Sequence, residues 1–181
     1  QHNWLEELAA NLARHSAPIE VKWRRSPLPA RLRILEAFLL SAHRYFERGS
    51  HDEMGISSTA EWVLDNFYII EQALRQVGED IPPDFYSRLP LVNLDGLETT
   101  RIYALASTLA KAQGSRLEVE HIMTFMGAFQ SVTPLQIGET WALAPMLRLS
   151  ILETLMDMLA HITHLEFSSV PAITWAEAPV D

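Results

Sequence analysis

The chain contains no cysteine among its 181 residues. This absence excludes a disulfide framework, a thiolate metal site and a cysteine nucleophile, and it favours a cytoplasmic protein. No apolar stretch approaches the roughly 20 residues that a membrane-spanning helix needs. We therefore expect a module that is itself soluble and does not cross a bilayer.

Positive charge is also scarce, since 14 Lys and Arg face 23 Asp and Glu and the net charge is −9. Such a chain repels phosphate backbones, so we expect no nucleic-acid partner. Eight of the cations nevertheless lie in residues 1–48. Lys22, Arg24 and Arg25, next to Trp23, form a basic group that suits an anionic membrane surface. We favour the simpler interpretation, a solvated basic arm.

Known catalytic and nucleotide-binding sequence motifs are absent as well. The chain has no Walker loop, GxSxG elbow, GxGxxG turn or nucleotide-sugar DxD motif, so we predict no catalytic residues and no cofactor. It begins at Gln1 and shows no charged segment followed by an apolar one, which leads us to expect a piece of a longer protein without a signal peptide.

Helical spacing of apolar residues dominates the pattern and predicts an all-α fold. We expect an irregular bundle of about five to seven helices around a long apolar C-terminal helix. Two capping boxes support the boundaries, Ser58 to Glu61 and Thr133 to Gln136. The predicted helices are 4–14, 30–48, 58–77, 98–112, 117–131 and 133–165, with one turn at 84–88 and two short strands possible at 19–23 and 171–175.

Prolines divide the chain into three parts. Residues 1–29 are predicted to form a short helix and a proline-containing basic arm. Residues 30–165 are predicted to form the helical bundle, and residues 166–181 a loosely held tail.

A helical wheel for residues 58–77 separates two faces. Val63, Ile70 and Leu74 share the apolar face, and Asn66 falls inside the apolar arc, where we favour a structural amide with hydrogen-bond partners. The opposite face is polar and is a candidate surface for a glucan or a protein partner; it consists of Glu61, Asp65, Tyr68 and Gln72.

Two arginines stand out in the later helices. Arg148 shares a face with apolar residues of the last helix, so we expect it to be buried and paired with Asp65 or Glu61, at a cost of roughly 3–5 kcal/mol if one partner is lost. Arg101 lies in the first turn of its helix, where a cation opposes the helix dipole. An acidic partner would explain its position.

Three residues of the last helix have spacing compatible with a metal ion, namely Asp157, His161 and His164. The pattern lacks a HExxH motif and a further ligand. We favour a solvated polar face and no metal. A small metalloenzyme is kept as a hypothesis beside the two that are given below.

Four segments in consistent order resemble bacterial cyclic β-1,2-glucan synthases. They are EWVLDNFYIIE (61–71), FYSRLP (85–90), RIYALA (101–106) and QSVTPLQIGETWALAPMLR (130–148). The resemblance covers roughly residues 40–160. It implies a helical region that precedes the glycosyltransferase core of a large inner-membrane, UDP-glucose-dependent enzyme, on the cytoplasmic side.

The resemblance implies an accessory role, because the family's transferase and phosphorylase motifs are not in this segment. Scaffolding of the synthase, or binding of its β-glucan through residues such as Tyr68, Arg101 and Tyr103, would fit. The partners would then be the rest of the synthase and its glucan. The rival hypothesis is a stand-alone helical bundle that docks a protein partner on the polar face defined above.

Overall fold

A computed structural model of the chain describes residues 3–19, 25–49, 54–94, 96–114 and 116–165. Within these ranges seven helices and one two-stranded sheet are present, which confirms the all-α prediction. In chain order they are α1 (Asn3–His15), α2 (Leu28–Arg48), α3 (Met54–Asp80), α4 (Pro83–Tyr86), β1 (Leu91–Leu94), β2 (Leu97–Thr100), α5 (Arg101–Gln113), α6 (Val119–Val132) and α7 (Ile137–Thr163).

Both predicted capping boxes are wrong. Helix α3 begins four residues before Ser58, so the Ser-x-x-Glu pattern lies inside the helix and does not cap its start. Thr133 ends α6 instead of starting α7. The capping box of α7 is formed by Gln136 and Glu139, three residues further along the chain than predicted.

A β-hairpin replaces the predicted start of α5. Strands β1 and β2 pair antiparallel with Leu94 opposite Leu97, so the connection has two residues, 95 and 96. The sequence Asp-Gly at these positions is typical of such hairpins. Gly96 has a φ of +83°, and its backbone N–H donates to the Asn93 side chain. Ile19 forms an isolated antiparallel bridge to Leu91, whereas residues 20–24 and 171–175 lie outside the described ranges.

Helix α7 packs against α2, α3 and α5, and α1 packs against α6. One side of α7 enters the core, through residues such as Ala142, Met146 and Leu149. The expectation of a helix that is apolar and buried nearly all round is wrong, since Trp141 on its other side is 72% exposed. In the described part of the chain, no helix combines the length and apolar character needed to cross a membrane.

Residues before position 30 contribute to the hydrophobic core. Leu5, Ala9 and Ala13 of α1 are buried, as is Leu28 at the start of α2. The boundary at residue 30 stays a prediction, and the tail 166–181 lies outside the described residues.

The hairpin turn yields a test with a matched control. Gly96→Ala should lower the free energy of unfolding by about 1 kcal/mol, because a side chain disfavours a left-handed backbone, although a Cβ there would meet nothing within 4 Å. Gly127→Ala, in the helical interior of α6 and equally uncrowded, should raise it by up to about 1 kcal/mol. Urea unfolding measures both, and a stabilised Gly96→Ala variant would contradict the turn.

Candidate functional site

The predicted polar face of α3 is exposed. Glu61, Asp65, Tyr68 and Gln72 all lie in solvent, and Tyr68 is 64% exposed. The apolar face behind them, which includes Val63 and Ile70, is buried, as the helical wheel predicts.

Asn66 is half-buried and makes a local contact. Its amide donates to the carbonyl oxygen of Trp62, one turn earlier, at 2.8 Å. Trp62 and Ile69, which lie beside it on the helix surface, are exposed. The described contacts of Asn66 are thus within its own helix, and the exposed ring of Trp62 extends the polar face of α3 with apolar surface.

The predicted partner of Arg148 is wrong. Its guanidinium donates to Asp80 at the end of α3, with 3.1 Å between Nη1 and Oδ2, and the side chains are 34% and 51% exposed. Because Asp65 and Glu61 lie four and five turns before Asp80 on α3, they are too distant. A pair this exposed contributes under about 1 kcal/mol, well below the cost expected for a buried pair.

A buried ion pair is present elsewhere, between Arg101 and Glu139. The Arg101 Nε donates to Oε1 at 2.7 Å and Nη2 to Oε2 at 2.5 Å, with side chains 2% and 0% exposed. The same Nη2 donates to the Pro134 carbonyl oxygen. The bidentate geometry satisfies the guanidinium where water cannot reach it.

Local structure brings this pair together. The hairpin returns the chain so that the Arg101 backbone N–H donates to the Pro90 carbonyl oxygen at 2.8 Å, which fixes the start of α5. Glu139 is in the first turn of α7, where it also accepts from the Gln136 N–H and where a negative charge suits the helix dipole. The acidic partner expected for Arg101 is therefore Glu139.

A second polar cluster joins three helices. Arg31 of α2 forms a salt bridge with Glu153 of α7 and donates to the Tyr103 hydroxyl of α5 at 2.7 Å. That hydroxyl donates to the other carboxylate oxygen of Glu153 at 2.6 Å. Tyr103, predicted as a ligand residue, is thus part of an internal contact.

Electrostatics fix the protonation states of the arginine and the tyrosine in this cluster. Burial acts to lower the pKa of Arg31, but the hydrogen bond and charge of Glu153 outweigh it and the pKa is raised. Burial, and then the charge of Glu153, raise the pKa of the Tyr103 hydroxyl. Burial also raises the pKa of Tyr86 to about 12. The arginine stays charged and the tyrosines stay neutral at ordinary pH, so the pattern of donors and acceptors is fixed.

The charged groups of both clusters are paired within the protein. Each guanidinium is already engaged by a carboxylate, and Arg101 is closed off from solvent. Their chemical effect is to fasten α5 to α7 and α2 to both. Of the predicted ligand residues, only the four on the α3 polar face are open to a partner.

The metal hypothesis gains no support. Across the described residues there is no group of three or more His, Asp or Glu side chains able to hold a metal ion. His164 follows the end of α7 in a left-handed conformation, with a φ of 52°. It therefore leaves the helical spacing that linked it to Asp157 and His161.

An open groove lies between α1 and α6. Glu6, Glu7 and Arg14 line one side, and Met123 and Thr124 the other. It lies on different helices from every predicted site residue. Of the predicted basic group, Arg25 is exposed, while Lys22 and Arg24 lie outside the described ranges.

Comparison with known proteins identifies a relative. No family model matches the chain. Cyclic beta-(1,2)-glucan synthase NdvB of Rhizobium meliloti (strain 1021) is 34% identical over 126 residues, which is 70% of this chain and 4% of the relative's length. The chain is homologous to a segment of a cyclic β-(1,2)-glucan synthase. This confirms the resemblance to that family, while the place of the segment in the enzyme and its side of the membrane stay predictions.

The buried pair of Arg101 and Glu139 gives a sharp stability test. Arg101→Met leaves the Glu139 carboxylate buried without its partner and should cost about 3–5 kcal/mol. Replacing both residues, Arg101→Met with Glu139→Leu, should recover most of that loss. The control Arg148→Met breaks the exposed pair and should cost under about 1 kcal/mol. Urea unfolding followed by circular dichroism compares them; equal losses for the two single variants would contradict the buried pair.

Proposed function

We propose that this chain is an accessory, non-catalytic segment of a cyclic β-1,2-glucan synthase that holds other parts of the enzyme in place at the cytoplasmic face of the inner membrane. The observation that carries the proposal is the homology to a segment of such an enzyme, taken together with the engagement of the buried charged groups in internal pairs. In this role the fold itself, and not a reactive side chain, is what the enzyme uses.

Glucan binding is the second candidate, and the α3 polar face favours it. An aromatic ring beside carboxylates and an amide suits a sugar, because the ring covers C–H surface while the polar groups satisfy hydroxyls. Tyr68 with Glu61, Asp65 and Gln72 supplies these groups on one exposed face. A stand-alone protein-interaction bundle would use the same face without any link to glucan synthesis.

The buried pair separates a structural role from a ligand role. In the complete synthase, Arg101→Met should abolish UDP-glucose-dependent β-1,2-glucan synthesis at temperatures where the segment unfolds, and the double variant Arg101→Met/Glu139→Leu should restore it. A scaffold needs the fold, whereas a ligand site on Arg101 needs the guanidinium. A stable double variant that stays inactive would therefore contradict the scaffolding role.

Glucan binding can be measured separately, on the 181-residue chain. Linear β-1,2-glucan titrated into the 181-residue chain, followed by tryptophan fluorescence, should give no saturable change if the segment is only a scaffold. A saturable change that Tyr68→Ala removes would favour the glucan-binding candidate instead. Unaltered synthesis by the unfolded single variant would favour the stand-alone bundle.

A further inference from the structure

Helix α7 carries a second apolar face, directed to solvent. Its members, which we call the α7 outer stripe, alternate four and three residues apart: Ile137, Trp141, Ala144, Arg148, Ile151, Leu155 and Met158. This alternation is the heptad spacing by which two helices pack along a shared seam.

Four apolar positions of the stripe are highly exposed, whereas Leu155 is half-buried. Ile137 is 76% exposed, Trp141 72%, Ile151 47% and Met158 57%. Single exposed apolar residues are ordinary on protein surfaces, but a heptad-spaced row along one helix marks an interaction surface. The stripe runs from residue 137 to residue 158, which is 21 residue steps or about 32 Å of helix.

Arg148 sets a polar requirement in the middle of the stripe. It has five N–H donors, and its described ion pair, to Asp80 at the edge, leaves the side chain 34% exposed. A partner that covers the stripe must therefore offer a carboxylate or carbonyl oxygen opposite Arg148, since a covered guanidinium without enough acceptors is costly.

Charges around the stripe argue against lipid as the occupant. Helices that lie on membranes are rich in Lys and Arg beside their apolar face. Helix α7 has one arginine and no lysine, and it has three acids, Glu139, Glu153 and Asp157. A parallel, in-register pairing of two copies is also disfavoured, because it would place Arg148 opposite Arg148.

We infer that the α7 outer stripe docks an amphipathic helix from another part of the same synthase polypeptide, with apolar residues at heptad spacing and an acidic residue opposite Arg148. This inference rests on the proposed function. The heptad spacing and the charge of Arg148 are the observations behind it. It also agrees with the comparison, in which the similarity spans only 4% of the relative's length. Most of such a polypeptide lies outside this segment and is available to supply the helix.

Photo-cross-linking in the complete synthase tests the inference. A benzoyl-phenylalanine placed at Trp141 or at Ile151 should cross-link to one helical stretch of the same polypeptide outside this segment, at positions three or four residues apart. The same group at Tyr45, exposed on α2, is the matched control and should not reach that stretch. Arg148→Glu should lower the Trp141 cross-link severalfold, and circular dichroism of the 181-residue chain with that change should be unaltered.

Other occupants give different products, and each would overturn the inference. Lipid adducts at Trp141 would indicate a membrane contact. Cross-links between two copies, with a dimer of the 181-residue chain that Ile151→Glu dissociates, would indicate self-association. A yield no greater than at Tyr45 would indicate a free surface. In each case the double-variant synthesis assay still decides separately whether the segment is a scaffold.

Discussion

The buried pair of Arg101 and Glu139 is the interaction on which the packing of α5 against α7 depends. A charge pair with side chains 2% and 0% exposed survives only if both partners are held in register, because either charge alone would be uncompensated. The β-hairpin sets one partner by bonding the Arg101 N–H to Pro90. The capped first turn of α7 sets the other.

A second fastening point follows along α7. Glu153 lies 14 residues after Glu139, about 21 Å along the helix, and binds both Arg31 of α2 and Tyr103 of α5. With α7 fixed at two separated points, α2 and α5 have little freedom to slide or rotate. These polar contacts thus fix how the helices align along one another, which apolar packing alone would not determine.

Sequence reasoning succeeds where apolar periodicity decides the structure. The spacing of apolar residues predicts α1, α2 and the exposed face of α3, because a helix that is buried on one side has an apolar residue at every third or fourth position. Sequence reasoning fails where contacts between residues distant in the sequence decide the structure. The partner of Arg101 is 38 residues away in the sequence, so residue spacing could not identify it. The Asp-Gly turn is a local signal, but it was missed because a helix was expected to begin at residue 98. The cation in the first turn of α5 was the one correct hint of the buried pair.

The buried charged groups of the described residues form internal ion pairs, and the polar face of α3 and the α7 outer stripe are open to solvent. In the role that we propose, these two surfaces contact other parts of a large enzyme, because the similarity spans only 4% of the relative's length. The most direct measurement is glucan synthesis by a synthase from which residues 28–163 have been deleted, with and without the 181-residue chain added back. The account predicts that deletion abolishes UDP-glucose-dependent β-1,2-glucan synthesis and that the added chain restores part of it; full synthesis after the deletion would contradict it.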